Sequence, residues 1–311
     1  MKDYFMQGAN RMNKEIIEYL NDNSILYELN VSAKELVSFK IGGIVSIVVY
    51  PSDVDELLTI ITLFNNYKCK FVFLGNGTNT YFSDDGYDGA VISTKKMNKI
   101  SVDGRHLIAQ CGANMKDCCF VAMLNSLTGM EFAYGIPGNV GGCIYMNASA
   151  FGKDMTNIVY KTVCLDISTG KKFTLNKEEH LYGMKHSVFM ENKNYFILEA
   201  YFELQIGDKS QIYSLMEENM SKRKASQPLD KPSAGSVFKR PINAFASKLI
   251  DDAGLKGTSV GDAIVSDIHA GFIVNNGEAK ASDVISLIRL IKSKIYDLYG
   301  ILLEEEIIYI E

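Results

Sequence analysis

Apolar residues in the first third of the chain recur at two spacings, separated by short polar segments. Apolar positions three or four residues apart predict a helix, and β-branched or aromatic runs predict a buried strand. In chain order, the pattern predicts a helix over Arg11 to Asn21, a strand over Ile44 to Tyr50, a helix from a capping box at Ser52 and Asp55 to about Phe64, and a strand over Lys70 to Leu74. The last strand runs straight into a glycine-rich segment, so this region is interpreted as a β-α-β unit that ends in a glycine loop.

The middle third shows strand-like segments around one helix, which is an α+β pattern. The predicted elements are strands over Leu107 to Cys111, Tyr160 to Ile167, Lys172 to Leu175 and Tyr195 to Leu204, a hairpin at Ser168-Thr169-Gly170 and a helix over Lys116 to Leu127.

The last third begins with a long polar helix, Lys209 to Ala225. Pro228 and Pro232 follow it and mark the best candidate for a domain boundary. Beyond them the pattern predicts a helix over Phe245 to Ala253, short strands around Ile264 and Ile273, a helix over Ala281 to Leu298 and a final strand over Ile307 to Ile310.

Composition excludes several classes of protein. The chain has 311 residues, 47% of them hydrophobic, and a net charge of −5, so it is neither disordered nor basic enough for a nucleic-acid surface. No apolar run approaches the roughly 20 residues that span a bilayer, and Met1 to Lys14 has no signal-peptide pattern. We therefore expect a cytoplasmic protein without nucleic-acid or membrane partners. No pattern sets its oligomeric state, and we expect a monomer.

Cysteine and histidine spacing argues against a disulfide framework or a metal site. The chain has four histidines, with neither HxxxH nor HxxE spacing, so we expect no metal. We expect buried free thiols at the six cysteines, Cys69, Cys111, Cys118, Cys119, Cys143 and Cys164, which form no CxxC pair.

Two glycine-rich segments are candidates for ligand binding. The first glycine loop, Gly75-Asn76-Gly77-Thr78-Asn79, follows a strand, but Thr80 stands where a nicotinamide fingerprint requires glycine. By itself it fits a tight turn as well as an anion site. The second glycine loop, Gly135-Ile136-Pro137-Gly138-Asn139-Val140-Gly141-Gly142, has four glycines in eight residues. This entropic cost favours a loop whose backbone passes close to a ligand.

Two polar segments near the C-terminus carry candidate chemistry. In Pro232 to Pro241, Ser236 follows a glycine and precedes Lys239 and Arg240, which suits an acid or anion-binding role; a basic turn is the simpler interpretation of this segment alone. Glu304, Glu305 and Glu306 lead into the final strand, where alternation places Glu304 and Glu306 on one face. An exposed acidic edge is the usual meaning of such a run, and a catalytic glutamate is the rarer one.

Taken together and in order, these segments resemble the UDP-N-acetylenolpyruvoylglucosamine reductase family from about Ser38 to Ile310. The resemblance rests on both glycine loops and on a set of further motifs: Ser38 to Gly43, Met146-Asn147-Ala148, Pro232 to Pro241, Lys248 to Ile250, Ala253 to Gly257, Val265 to Asn275 and the terminal glutamate. The chain resembles the shorter subtype, which lacks an extra tyrosine-bearing loop.

The resemblance implies an α+β fold with a two-lobed FAD-binding domain of the vanillyl-alcohol-oxidase type and a C-terminal α+β substrate domain. The expected boundaries are residues 1–95 for the first lobe, 96–207 for the second and 208–311 for the substrate domain. It also implies non-covalent FAD, NADPH as reductant, and reduction of UDP-N-acetyl-enolpyruvoylglucosamine to UDP-N-acetylmuramate. In that reaction hydride passes from flavin N5 to C3 of the substrate and a proton is added at C2.

Residue roles follow from the same resemblance. Ser236 is the proton donor, and Glu306 and Lys185 are the other catalytic residues. Ser187, Lys239, Arg240 and Lys248 are expected to bind substrate, with the cations meeting the diphosphate. The expected cofactor-binding residues are Gly75, Asn76, Gly77, Thr78, Asn79, Gly135, Ile136, Pro137, Gly138, Val140, Gly141, Gly142, Met146, Asn147 and Ala148.

Two positions depart from the family pattern. The usual Tyr-Arg-x-Ser reads Met184-Lys185-His186-Ser187, so a lysine replaces the arginine that would steady the enolate. Lysine keeps the charge but lacks the planar fork, and Lys239 or Arg240 would then share the role. The usual Met-Asn-Ala-Gly ends here in Ser149.

Two alternatives stay open at this point. One is a flavin oxidase or dehydrogenase that acts on another substrate, against which the C-terminal motifs argue. The other is a paralogue that binds UDP-sugars without catalysis; the Met184-Lys185 substitution favours it, and the presence of Ser236 and Glu306 argues against it.

Overall fold

The computed structural model describes residues 14–311. Residues 14–22 are helical (α1), and the start of the helix predicted from Arg11 lies outside the described residues. The first lobe follows, with strands β1 Tyr27–Ser32, β2 Ile44–Val49, β3 Phe71–Leu74, β4 Thr80–Phe82 and β5 Tyr87–Ser93, and helices α2 Ala33–Leu36 and α3 Val54–Asn66.

Strand β5 is an inner strand of the first sheet, whose order is β1-β2-β5-β3. It pairs in parallel with β2 and β3, while β1 runs antiparallel to β2. The predicted strands β2 and β3 and helix α3 are confirmed, whereas β1 and β5 were not predicted. Gly86 and Gly89 flank and interrupt the apolar run of β5 and weaken its strand signal.

The predicted capping box of α3 is wrong by one residue. Asp53 is the N-cap, and its carboxylate accepts hydrogen bonds from the backbone N–H groups of Asp55 and Glu56, both at 2.9 Å. Glu56 in turn accepts from the Ser52 N–H at 2.8 Å. One carboxylate oxygen of Asp53 thus satisfies two of the free N–H groups of the first turn.

The elements of the second lobe are β6 Ile100–Asp103, β7 His106–Gln110, α4 Met115–Leu124, α5 Val140–Tyr145, β11 Val159–Asp166, β12 Lys171–Asn176, α6 Val188–Glu191 and β13 Tyr195–Glu203, with the short strands β8 Leu127–Thr128, β9 Ser149–Ala150, β10 Lys153–Asp154 and β14 Gln205–Ile206. Five of the strands form an antiparallel sheet of order β12-β11-β13-β7-β6. Helix α4 ends at Leu124, earlier than predicted, because the chain turns at Ser126 with a φ of +56°.

Helix α7, Lys209–Ser226, buries Ile212 and Met216 in the core that the first two sheets share. It therefore packs with the second lobe, although the expected boundary at residue 208 assigns it to the C-terminal domain. The prolines that follow α7 lead into the last sheet.

The elements of the C-terminal domain are β15 Ser233–Ser236, α8 Ala246–Asp252, β16 Ser259–Val260, β17 Ala263–Val265, β18 Phe272–Asn275, α9 Ala281–Tyr299 and β19 Ile308–Ile310. Four of the strands form a sheet of order β15-β18-β17-β16, which is covered by helices. The final strand, β19, lies outside this sheet and pairs in parallel with β4 of the first lobe.

Several side chains join the first lobe to the C-terminal domain. Asp84 accepts hydrogen bonds from the backbone N–H groups of Ala281 at 2.7 Å and Ser282 at 3.0 Å, at the start of α9. Phe39 and Tyr81 of the first lobe are buried in the C-terminal core. These contacts fix the position of the C-terminal domain relative to the first lobe.

Within residues 14–311, no helix is both long and apolar enough to cross a bilayer. All six cysteines are free, and five of them are buried; Cys69 is only half-buried.

Candidate functional site

The two glycine loops lie against each other. The Asn76 carboxamide donates to the carbonyl oxygen of Pro137 at 2.9 Å. Gly77 has a φ of +63°, and a Cβ there would overlap the Leu36 carbonyl oxygen and lie 2.9 Å from Val37 Cα. Only glycine allows the first loop to pack this closely on the chain beside it.

The second glycine loop runs into α5 and is bound to the second lobe on one side. The N–H groups of Val140 and Gly141 donate to the carbonyl oxygens of Ala113 at 2.9 Å and Cys111 at 2.8 Å. A Cβ on Gly142, in contrast, would meet no atom within 4 Å. The loop is thus closely packed at Gly141 and open at Gly142.

A buried acceptor without a partner lies between the two loops. The Asn139 amide donates to the Gly112 carbonyl at 2.6 Å, but its Oδ1 atom is buried and has no hydrogen-bond partner. A Cβ on Gly75 would come within 2.7 Å of this oxygen. Because an unpaired buried acceptor is costly, a ligand that donates a hydrogen bond fits this position. FAD carries ribityl and ribose hydroxyl groups that can donate, so the residues present fit this cofactor.

Met146, Asn147 and Ala148, which follow α5, were expected to bind the cofactor, but each of them has a different partner in the structure. Met146 Sδ lies 3.7 Å from the Asn79 amide of the first loop. Asn147 is 3% exposed, and its amide donates to the carbonyl oxygen of Gly183 at 2.9 Å, away from the two loops. Ala148 is bound through its N–H to the Cys143 carbonyl at 2.8 Å.

The three predicted catalytic residues come together from three separate segments. The Lys185 ammonium lies 2.9 Å from Glu306 Oε1, and these side chains are 23% and 10% exposed. The Glu306 N–H donates to the carbonyl oxygen of Val237 at 2.7 Å, which sets Glu306 beside the end of the strand that carries Ser236. Asn79 of the first glycine loop donates to the Glu306 carbonyl at 3.0 Å. The first glycine loop and the strand that carries Ser236 are therefore both hydrogen-bonded to the backbone of Glu306, whose carboxylate contacts Lys185.

Ser236 is the last residue of β15 and is half-buried. Gly235, just before it, has a φ of +81°, and a Cβ there would meet no atom within 4 Å. The backbone on this side of the strand is therefore open to a ligand.

The predicted substrate cations lie on the surface, each with its own partner. Lys239 contacts Glu304 at 3.3 Å, Lys248 contacts Asp252 at 2.9 Å, and the Arg240 guanidinium stacks 3.9 Å from the centre of the Phe245 ring. Exposed ion pairs of this kind contribute little to stability.

Ser187 is fully buried, and its hydroxyl donates to the Tyr145 carbonyl at 2.7 Å. It ties the Lys185 segment to α5. In this conformation its hydroxyl has no free proton to offer a substrate.

Sequence reasoning missed one cation, Arg223 of α7. A Cβ on Gly135 would lie 2.9 Å from Arg223 Cδ, so the side chain packs under the second glycine loop. Burial lowers the pKa of Arg223, and no ion pair with an acidic side chain forms within residues 14–311. Burial raises the pKa of the Cys143 thiol to about 12, and the positive charges of Lys185 and Arg223 act in the opposite direction. Arg223 stands in a run of basic residues, and nothing in its spacing distinguishes it from a surface charge.

Comparison with known proteins agrees with this arrangement. Residues 45–175 match the family model of an FAD binding domain, and residues 227–310 match that of the UDP-N-acetylenolpyruvoylglucosamine reductase C-terminal domain. A UDP-N-acetylenolpyruvoylglucosamine reductase of Caldanaerobacter subterraneus is 42% identical over 279 residues, which cover 90% of this chain and 92% of that protein. One of Clostridium novyi is 38% identical over 296 residues, 95% of both chains.

The fold agrees as well. The crystal structure of UDP-N-acetylenolpyruvylglucosamine reductase from Thermus caldophilus superimposes with a TM-score of 0.78 at 28% identity, covering 92% of this chain and 99% of that one. The predicted arrangement of an FAD-binding domain followed by a C-terminal domain is confirmed, and so is the family that the sequence motifs indicated. The chain belongs to the UDP-N-acetylenolpyruvoylglucosamine reductase family.

Proposed function

We propose that this protein is a cytoplasmic FAD-dependent reductase that converts UDP-N-acetyl-enolpyruvoylglucosamine to UDP-N-acetylmuramate, a precursor of peptidoglycan, with NADPH as reductant. The observation that carries the proposal is the connection of Lys185, Glu306 and the Ser236 strand to the first glycine loop through Asn79. When bound, FAD supplies the route by which hydride passes from NADPH to C3 of the enolpyruvyl group.

The side chains of the site supply the proton and the charge. Addition of hydride at C3 leaves negative charge on C2 and on the adjoining carboxylate, and a proton at C2 completes the reduction. Ser236 is the donor of this proton. A serine hydroxyl is a weak acid in water, so its neighbours must favour the developing charge.

Lys185 and Arg223 are the cations placed to favour that charge. Lys185 is paired with Glu306 and can turn toward a substrate carboxylate that competes for it. Arg223 is bound to no acid among the described residues and adds a second positive charge from beneath the glycine loop. This assigns to Arg223 the part that sequence reasoning gave to Lys239 or Arg240.

Replacement of Ser236 by alanine tests the proposal through the two half-reactions. Reduction of bound flavin by NADPH is expected to stay within about twofold of wild type, and its reoxidation by the enolpyruvyl substrate to slow by at least about a hundredfold. The matched control is Ser259→Ala, because Ser259 is an exposed serine at the far edge of the same sheet. Equal loss in both half-reactions would remove Ser236 from the role of acid.

A further inference from the structure

The turn that presents Lys185 is conformationally strained. Gly183 and His186 are joined by two backbone hydrogen bonds of 3.1 and 3.3 Å, with Met184 and Lys185 between them. Lys185 has a φ of +54°, a left-handed conformation that disfavours residues with a side chain. Such a conformation persists only where the surrounding structure holds it.

Asn147 holds this turn from inside the protein. Its amide donates to the Gly183 carbonyl at 2.9 Å, and the same nitrogen lies 3.3 Å from Asp154 Oδ2. Its Oδ1 atom accepts from the backbone N–H of Thr156 at 3.3 Å. Because the residue is 3% exposed, the whole carboxamide is committed to protein partners.

Asn147 also belongs to the segment that carries the second glycine loop. It follows Met146, the C-cap residue of α5, and Met146 contacts Asn79 of the first loop. Asn79 in turn holds the backbone of Glu306. An asparagine therefore holds each member of the Lys185–Glu306 pair. Asn79 binds the backbone of Glu306 directly, and Asn147 acts on Lys185 through Gly183.

We infer that Asn147 is a positioning residue that fixes Lys185 opposite Glu306 by holding the carbonyl oxygen of Gly183. The inference rests on the proposed role of Lys185. It differs from the cofactor-binding role expected from the resemblance, because the carboxamide points to the Lys185 turn and has no free donor or acceptor.

Two substitutions separate this role from a merely structural one. Asn147→Gly removes the amide without adding strain, since Asn147 itself has a φ of +42° that glycine adopts freely. Asn30→Gly is the matched control: Asn30 has a φ of +53°, is exposed and lies in β1.

The experiment is a double-mutant cycle of Asn147→Gly and Lys185→Ala, read as the rate at which substrate reoxidises the reduced flavin. In the wild-type background Asn147→Gly is expected to slow this step about 10- to 100-fold, because a small displacement of a catalytic group has effects of that size. In the Lys185→Ala background it should change the rate by less than about threefold. FAD content and flavin reduction by NADPH should match the Asn30→Gly control.

Asn147→Asp provides a second test if the glycine variant does not fold. An aspartic acid there can donate to Gly183 only while protonated, and the neighbouring Asp154 and burial favour that form. Relative to wild type, its rate should fall as the pH is raised from about 5.5 to about 8.5.

Each result of these experiments decides the inference. Equal factors in both backgrounds, loss of FAD, or a flat relative pH profile for Asn147→Asp would overturn it. If Lys185→Ala alone reacts like wild type, the proposed role of Lys185 fails first and the inference fails with it.

Discussion

Replacement of Gly142 by alanine should stabilise the protein without its cofactor and at the same time weaken cofactor binding. Gly142 lies within helix α5, and a Cβ there would meet no atom within 4 Å outside the helix backbone. Alanine in a helix is favoured over glycine by about 0.5–1 kcal/mol because it loses less backbone entropy on folding. The free energy of unfolding of the FAD-free protein should rise by that amount.

FAD should bind the same variant less tightly if the open side of Gly142 faces the cofactor. Forcing a methyl group into a close contact costs about 1–3 kcal/mol, which corresponds to a Kd roughly 5- to 150-fold higher. The assays are urea unfolding followed by circular dichroism, since the chain has no tryptophan, and titration of FAD by quenching of its fluorescence.

Gly77→Ala provides the contrast, because it should lower both the free energy of unfolding and the affinity for FAD. Its positive φ and its contact with the 36–37 backbone leave no room for a side chain. An unchanged Kd for FAD in Gly142→Ala would show that the cofactor does not pass over this residue. A lower free energy of unfolding for the FAD-free Gly142→Ala variant would refute the conclusion that Gly142 is a helical position with free space for a methyl group.

Three further predictions concern stability and the site cation. Asp84→Ala removes the carboxylate at the start of α9 and should lower the free energy of unfolding by about 1 kcal/mol at neutral pH. Burial raises the pKa of Asp84, but hydrogen bonds from Ser282 and Ala281 outweigh this effect and leave the pKa below its ordinary value. The difference in the free energy of unfolding between variant and wild type should therefore vanish as the pH falls through that lowered pKa. A difference that persists in strong acid would contradict this prediction. Burial lowers the pKa of His180, so wild-type stability should decrease as the pH falls below about 6.5, and His180→Gln, measured by urea unfolding, should show a shallower decrease. Lys185→Arg keeps the charge opposite Glu306 and should retain at least about a tenth of the rate of the second half-reaction; a folded but inactive variant would show that the site is built around lysine.

Local sequence patterns predicted most of the elements but not how they assemble. Long periodic helices such as α7 and α9 and the β-branched strand β2 were found close to their observed bounds. Strand β5 was missed although it lies inside the first sheet, since glycine interrupts its apolar run. The pairing of the last strand with β4 could not be predicted, because contacts between distant segments leave no local periodicity.

The site was predictable where chemistry depends on residue type and order, and less so where it depends on packing. Ser236, Lys185 and Glu306 were identified from ordered motifs, and the structure brings their segments together. The place of Arg223 follows from how α7 packs under the second glycine loop, which no sequence pattern records. The inward direction of Asn147 is likewise a property of the folded chain.

Spectra of the purified protein under anaerobic conditions test the proposed function most directly. The protein reconstituted with FAD is expected to be yellow, to bleach on addition of NADPH, and to regain its colour when UDP-N-acetyl-enolpyruvoylglucosamine is added. Reoxidation by oxygen but not by this substrate would indicate a flavin oxidase or dehydrogenase with another substrate. A protein that cannot be reconstituted with FAD, yet still binds the UDP-sugar, would contradict the reductase assignment and indicate a binding protein without catalysis.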